Sequence, residues 1–220
     1  MGNGHAIRSA QLPDDIDSAD AFEFEKLGWD DISILANDPT PGSQVPGSTA
    51  IPINSLHHAG KFAREYFAEV GEELKILEVF AGNRSAAIAF ADAFEPGIDI
   101  TNWVVTDAVD YPGAEQTSQF CKMDAVSAVN TYGPAANVLL MIAAPKNYAD
   151  YYSLRNFIAQ KSEFARRWFI FIGDLGGEHG SPGMWNYCHS NANLRRVLCK
   201  SIVLASEKKI YIFEITGAPH

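Results

Sequence analysis

Apolar residues along this chain occur in two patterns. One is a short apolar run, which is typical of a buried strand, and the other is a helical spacing. Mostly apolar runs of strand length occur at 75–80, 137–143 and 168–172, and the last two predict strands buried on both faces of a sheet. Segments with a helical spacing of apolar side chains lie before, between and after these runs. The predicted helices cover 54–70, 84–94, 125–130, 150–166 and 190–198. The remaining predicted strands cover 101–106, 119–122, 200–205 and 209–216.

Strands alternating with helices are typical of a three-layer α/β fold with a mostly parallel sheet. The last two predicted strands are separated only by Ser206, Glu207 and Lys208. This connection is too short for a crossover helix, so the two strands are predicted to pair as an antiparallel hairpin.

Polar residues follow the first three predicted strands at the edge where such folds bind ligands. The first strand contains Glu78 and runs into the turn Ala81-Gly82-Asn83, after which an alanine-rich helix begins. Glycine lets the backbone approach a ligand closely, and a helix start offers free N–H groups. Asp107 ends the second strand and Asp124 the third. A ligand site is therefore predicted along the carboxyl ends of these strands.

Residues 1–53 differ from the rest and are interpreted as an acidic, partly ordered N-terminal arm, with the folded domain at 54–220. Aromatic and aliphatic residues within 22–35 provide enough apolar surface for part of the arm to dock. A disordered leader is the alternative for the same composition.

Net charge and cysteine content narrow the classes of partner. The formal net charge of −10 disfavours broad nucleic-acid binding, which depends on clustered basic residues, and favours a small molecule or a protein as partner. The three cysteines, Cys121, Cys188 and Cys199, form no disulfide framework and predict reduced thiols in a cytoplasmic protein. No apolar run reaches the roughly 20 residues needed to span a bilayer.

The strand order, the glycine turn and the two later acids resemble class I S-adenosylmethionine-dependent methyltransferases over residues 54–216. The resemblance implies a Rossmann-like, three-layer methyltransferase fold with a seven-stranded, mostly parallel sheet and an antiparallel C-terminal hairpin. It also implies that S-adenosylmethionine lies across the carboxyl ends of the first strands. The implied cofactor-binding residues are Glu78, Phe80, Ala81, Gly82, Asn83, Asp107, Ala108, Asp124, Ala125 and Ala143.

The chain departs from the glycine motif of that family at two positions. Phe80 and Arg84 stand where the first and third glycines are usual, and Lys146 follows Pro145 where cytosine-5 methyltransferases carry a cysteine. Two alternatives to an active methyltransferase therefore stay open. One is a methyltransferase-like subunit that only binds or scaffolds, and the other is a nicotinamide-dependent oxidoreductase.

Methyl transfer from a sulfonium depends mainly on alignment, so a general base is optional. The candidate catalytic residues are Lys146, Asp174 and His179, which all lie in predicted loops at the carboxyl edge. Histidine is suited to proton transfer near neutral pH. His179, Cys188 and His189 lack a zinc-binding spacing, so no metal is predicted.

Overall fold

The computed structural model describes residues 51–82, 84–109, 120–174, 179–202 and 208–216. Seven strands form one sheet in the order β3-β2-β1-β4-β5-β7-β6. The strands are β1 (Leu74–Val79), β2 (Ile100–Asp107), β3 (Phe120–Lys122), β4 (Val138–Ile142), β5 (Arg167–Asp174), β6 (Leu194–Ser201) and β7 (Lys208–Ile215). The first five are parallel, whereas β7 runs antiparallel between β5 and β6. The predicted α/β fold and terminal hairpin are thus confirmed.

In the part of the chain that the structure describes, five α-helices cover the two faces of the sheet. They are α1 (Ile53–Val70), α2 (Ser85–Phe94), α3 (Ala125–Tyr132), α4 (Ala149–Ala159) and α5 (Pro182–Ser190). Alternate strand residues point to opposite faces, so one core forms against α1 and α2 and the other against α3, α4 and α5. The predicted arm at residues 1–53 lies almost wholly outside the described residues.

Most predicted boundaries agree within two residues, but α4 ends seven residues earlier than expected. Gln160 leaves the helix in an extended conformation. The buried Arg167 guanidinium stacks 3.7 Å from the centroid of the Phe157 ring and donates hydrogen bonds to the carbonyls of Gln160 and Gly133. A long helix through residue 166 would remove these acceptors from the arginine, so tertiary contacts override the local helical pattern.

The prediction of a helix over 190–198 is wrong. The helix lies earlier, as α5, and residues 194–201 form the edge strand β6. Ser181 is the N-cap of α5 and accepts a hydrogen bond from the Met184 N–H, and Pro182 occupies the first turn. A serine followed by a proline is a helix-start signal that the sequence contained. The N-cap of α1 is Pro52, which offers no side-chain hydrogen bond to the first turn.

Helices α1 and α2 cross closely at Gly60. A Cβ atom at Gly60 would lie 2.4 Å from the Phe90 carbonyl oxygen and 2.9 Å from the Ala93 Cβ. The absence of a side chain at this position therefore sets the distance between the two helices that back the glycine turn.

Replacing Gly60 with alanine is expected to lower the free energy of unfolding by about 1–3 kcal/mol, because the added methyl group overpacks the helix crossing. Chemical denaturation of both proteins measures this change. The exposed Glu65→Ala variant of the same helix is the control and should shift stability by less than about 0.5 kcal/mol. An unchanged or raised stability of Gly60→Ala would contradict the close crossing.

Candidate active site

The candidate site lies at the carboxyl edge of the sheet, where β1 and β4 are neighbours. The chain crosses to one face after β1 and to the other after β4, so this is the point at which the strand order reverses. Among the described residues, the non-glycine residues with positive φ are Phe80, Arg84, Ala143 and Tyr148. All of them lie in the two loops that follow β1 and β4. Residues in this conformation cost about 1–3 kcal/mol each and cluster at functional sites.

In the turn after β1, two residues that are not glycines adopt the positive φ angles that favour glycine. Phe80 has φ 61°, Gly82 has φ 56° and Arg84 has φ 66°. Phe80 and Arg84 are not glycines, yet both adopt the left-handed conformation that favours glycine. A Cβ atom at Gly82 would meet no atom within 4 Å. The position that a Gly82 Cβ would take is therefore open, although Gly82 itself is buried within the turn.

Asp107, at the end of β2, holds the turn in place. Its Oδ2 accepts a hydrogen bond of 2.8 Å from the Gly82 N–H, and its Oδ1 accepts one of 2.9 Å from the Val109 N–H. The Ala81 N–H donates to the Thr106 carbonyl at 3.2 Å. Burial raises the pKa of Asp107, while the N–H groups of Val109, Gly82 and Ala108 act in the opposite direction. The carboxylate thus joins the ends of β1 and β2.

Glu78 is a carboxyl group within the core, directly beneath this turn. It is 1% exposed and lies on the same face of the sheet as α1 and α2. The Trp103 indole Nε1–H donates a hydrogen bond of 3.0 Å to Glu78 Oε2. Burial raises the pKa of Glu78 to about 7, and Asp107 adds to this rise, whereas Arg84 and the Trp103 hydrogen bond oppose it. Near neutral pH, both the neutral and the charged forms of this carboxyl group are therefore populated.

Arg84 is the N-cap residue of α2 and is only partly exposed. Its Nε is buried and has no hydrogen-bond partner among the described residues. Its positive charge lowers the pKa of Glu78, against the larger effect of burial. The site thus combines one cation with two carboxyl groups around Gly82.

The predicted residues near β3 occupy the start of α3. Asp124 is the N-cap of that helix, and its Oδ1 accepts a hydrogen bond of 2.9 Å from the Ser127 N–H. Ala125 is buried, and the Met123 N–H donates to the Asp107 carbonyl at 2.9 Å. The ends of β2 and β3 are therefore adjacent, as the prediction of a shared site requires. Asn83 lies outside the described residues.

The loop after β4 forms the other side of the site. Ala143 is buried with φ 53°, and its N–H donates to the Ile172 carbonyl at 2.8 Å. Lys146 is exposed and makes no hydrogen bond or ion pair with any residue in the described ranges. Tyr148, with φ 59°, begins α4. Lys146 is thus the accessible member of the three candidate catalytic residues.

The other two candidate catalytic residues, Asp174 and His179, contact each other at the end of β5. The His179 Nδ1 lies 2.7 Å from Asp174 Oδ1, and the His179 N–H donates to the same oxygen at 2.8 Å. Asp174 is 8% exposed and His179 is 4% exposed. The Gly180 N–H donates to the Ala144 carbonyl at 2.8 Å, which joins this loop to the one after β4. The structure therefore brings the pair together but leaves little of it open to solvent.

Asp150 is another buried carboxyl group, which the sequence did not indicate. It connects the loop after β4 to the loop after β5. Asp150, in the first turn of α4, accepts hydrogen bonds from the Ser181 N–H at 2.6 Å and the Ser181 hydroxyl at 2.7 Å. Burial raises the pKa of Asp150 to about 6, while the bonds from Ser181 act against the rise. The helix-start signal at Ser181 and Pro182 would have located one end of this contact.

A surface cavity of about 600 Å³ lies at the opposite, amino edge of the sheet. Its walls include Tyr66, Arg166, Arg195 and Arg196. Arg166 and Arg195 both form ion pairs with Glu214, and Arg166 also pairs with Glu72. Arg166 and Arg195 are thus already paired with carboxylates, and no predicted site residue lines the cavity, so the cavity is not the candidate active site.

No family model and no curated protein matches the chain, whereas solved structures do. The chain is similar to yhhF of Escherichia coli, provisionally assigned as a methyltransferase, with a TM-score of 0.50 and 9% identity over 72% of this chain and 85% of that chain. It is also similar to human N-acetylserotonin methyltransferase in complex with SAM, with a TM-score of 0.50 and 11% identity over 73% of this chain and 51% of that chain. The fold is therefore the Rossmann-like methyltransferase fold that the sequence predicted.

The raised pKa of Glu78 predicts a pH dependence of stability. Between pH 4.5 and about 7, the unfolded chain ionises Glu78 while the folded protein keeps it neutral, so stability should fall as pH rises. The full effect is on the order of 3 kcal/mol. A Glu78→Gln variant, which is neutral at every pH, should lack this loss when both proteins are denatured chemically from pH 4.5 to 8.

The exposed Glu65→Gln variant removes a carboxyl group in the same way and is the control, because its pH profile should follow that of the parent protein. Parallel profiles for the parent and Glu78→Gln would show that Glu78 does not carry this effect.

Proposed function

We infer that this protein is an S-adenosylmethionine-dependent methyltransferase that uses the carboxyl edge of its sheet. The observation that carries this proposal is the turn after β1, which keeps a glycine-type backbone and leaves open the position that a Gly82 Cβ would take. Such strain, at the point where the strand order reverses, is expected where backbone must approach a ligand. The methyltransferase fold supports the same assignment.

The described residues fit the parts of that cofactor. Asp107 would bind the ribose hydroxyls through the acceptor capacity that its backbone N–H contacts leave unused. Asp124 and Ala125, adjacent to the end of β2, would flank the adenine. Glu78, Phe80, Ala81 and Gly82 would form the floor beneath the amino-acid part, and Asn83 and Ala108 would complete its rim.

When bound, the cofactor supplies a methyl group on a positively charged sulfur, which already reacts readily with a nucleophile. The protein then has to orient the acceptor and exclude water. Ala143, at the end of β4, would face the transfer region. Lys146 is the accessible polar residue there, and the buried Asp174–His179 pair would hold a proton at the floor of the acceptor site.

The acceptor we favour is a small molecule or a protein rather than a nucleic acid. The net charge of −10 supports this choice, since a phosphate backbone would be repelled over most of the surface. The three cysteines are free thiols, which supports a reducing, cytoplasmic location. Within the described ranges, no helix has the length and apolar character needed to cross a membrane.

Isothermal titration calorimetry tests the cofactor directly. The parent protein is expected to bind S-adenosylmethionine and its demethylated product, S-adenosylhomocysteine. Asp107→Asn should weaken both about tenfold or more, a loss of about 1.4 kcal/mol, because it replaces one carboxylate oxygen by an NH2 group, which donates hydrogen bonds and cannot accept them.

The control is Asp92→Asn, the same chemical change at an exposed position of α2, which should bind like the parent. Thermal unfolding of each variant separates lost binding from lost folding. The proposal fails if the parent binds neither compound, or if Asp107→Asn binds both as tightly as the parent. Transfer of a labelled methyl group to small-molecule and protein acceptors then distinguishes the acceptor classes.

A further inference from the structure

We propose that Arg84 is the specificity-determining residue for the amino-acid part of the cofactor, whose carboxylate its guanidinium binds. This inference rests on the proposed function and adds a role for a residue that occupies the place of a usual glycine. The same side chain would make the site selective for adenosine compounds that carry an α-carboxylate.

The backbone at Arg84 is the first support. A φ of 66° and a ψ of −4° place it in the left-handed region, where a non-glycine residue is strained and glycine is not. The Arg84 N–H donates to the Ala81 carbonyl at 3.0 Å, so the conformation is fixed by the turn itself. The arginine is therefore held at a conformational cost in the turn that contains Gly82.

The guanidinium is the second support. Its Nε–H is buried and finds no acceptor among the described residues. A buried donor without a partner costs about 1–3 kcal/mol. Arg84 also forms no ion pair with any residue that the structure describes. A carboxylate accepts two parallel hydrogen bonds from an arginine and would satisfy both the donor and the charge.

The arrangement of charges around Gly82 is the third support. Glu78 lies beneath the turn, with Oε2 bonded to Trp103 and no hydrogen bond to Oε1 from a described residue. Arg84 lies at the other end of the turn, near enough for its charge to act on Glu78. A carboxyl group and a guanidinium on either side of Gly82 match the ammonium and carboxylate of an amino acid. Asp107, joined to Gly82 on the β2 side, remains available for the ribose.

Calorimetry with three related ligands tests this role. S-adenosylhomocysteine carries both charged groups, decarboxylated S-adenosylhomocysteine keeps only the amine, and 5′-methylthioadenosine lacks both. Arg84→Gly preserves the backbone conformation while removing the guanidinium. We expect this variant to bind S-adenosylhomocysteine about 10–100-fold more weakly than the parent and to bind the other two ligands with unchanged affinity.

Two further variants sharpen the test. Arg84→Lys keeps the positive charge but loses the two-pronged donor geometry, so its affinity for S-adenosylhomocysteine should lie between those of the parent and Arg84→Gly. Lys61→Ala removes an exposed cation from α1 and should bind all three ligands like the parent. Thermal unfolding confirms that each variant is folded before titration.

The outcomes separate this inference from the proposed function. If the parent binds none of the adenosine compounds, the proposed function fails and this role fails with it. If the parent binds S-adenosylhomocysteine but Arg84→Gly binds it equally well, the function stands and the role of Arg84 is wrong. Tighter binding by Arg84→Gly would also overturn the role, because it would mean that the arginine occupies the cofactor's place.

Discussion

One buried carboxyl group constrains the whole carboxyl edge of this protein. Glu78 lies in a strand whose other central residues are apolar, and it is 1% exposed. A charge at that depth is costly unless a partner stabilises it. The Trp103 indole supplies one hydrogen bond, and Arg84 supplies a nearby positive charge. The charge of Arg84, in the turn that follows β1, favours the ionised form of Glu78 and offsets part of the effect of burial.

Aromatic rings pack against one another on the side of the sheet that carries Glu78. Phe67 of α1 packs edge-to-face against both Trp168 of β5 and Phe94 of α2. Phe94 in turn packs against Trp103, with ring centroids 6.4 Å apart. The residue that donates to Glu78 is thus held by rings that reach across the sheet to β5. Such packing limits the freedom of the turn, so that a ligand would meet a preorganised surface.

The other side of the site is held by polar contacts between loops. Asp150 binds the backbone and hydroxyl of Ser181, and Gly180 binds the Ala144 carbonyl. These contacts join the loops after β4 and β5, on which Lys146 and the Asp174–His179 pair lie. The two halves of the carboxyl edge are therefore built differently. One depends on a strained turn bonded to Asp107, and the other on a buried carboxyl group that joins two loops.

The sequence by itself determined the fold class, the parallel strands, the terminal hairpin and the turn after β1, because apolar periodicity and glycine placement are local properties. It also identified Glu78, Asp107 and Asp124 as polar residues at one sheet edge. It misplaced α5 and β6 because the pattern at 194–201 suits a helix as well as an edge strand, and only pairing with β7 decides between them. Only the tertiary structure placed Asp174 against His179, left the Arg84 Nε without a hydrogen-bond partner among the described residues and raised the pKa of Glu78. These properties depend on burial and on neighbours distant in the chain, which local sequence patterns do not encode.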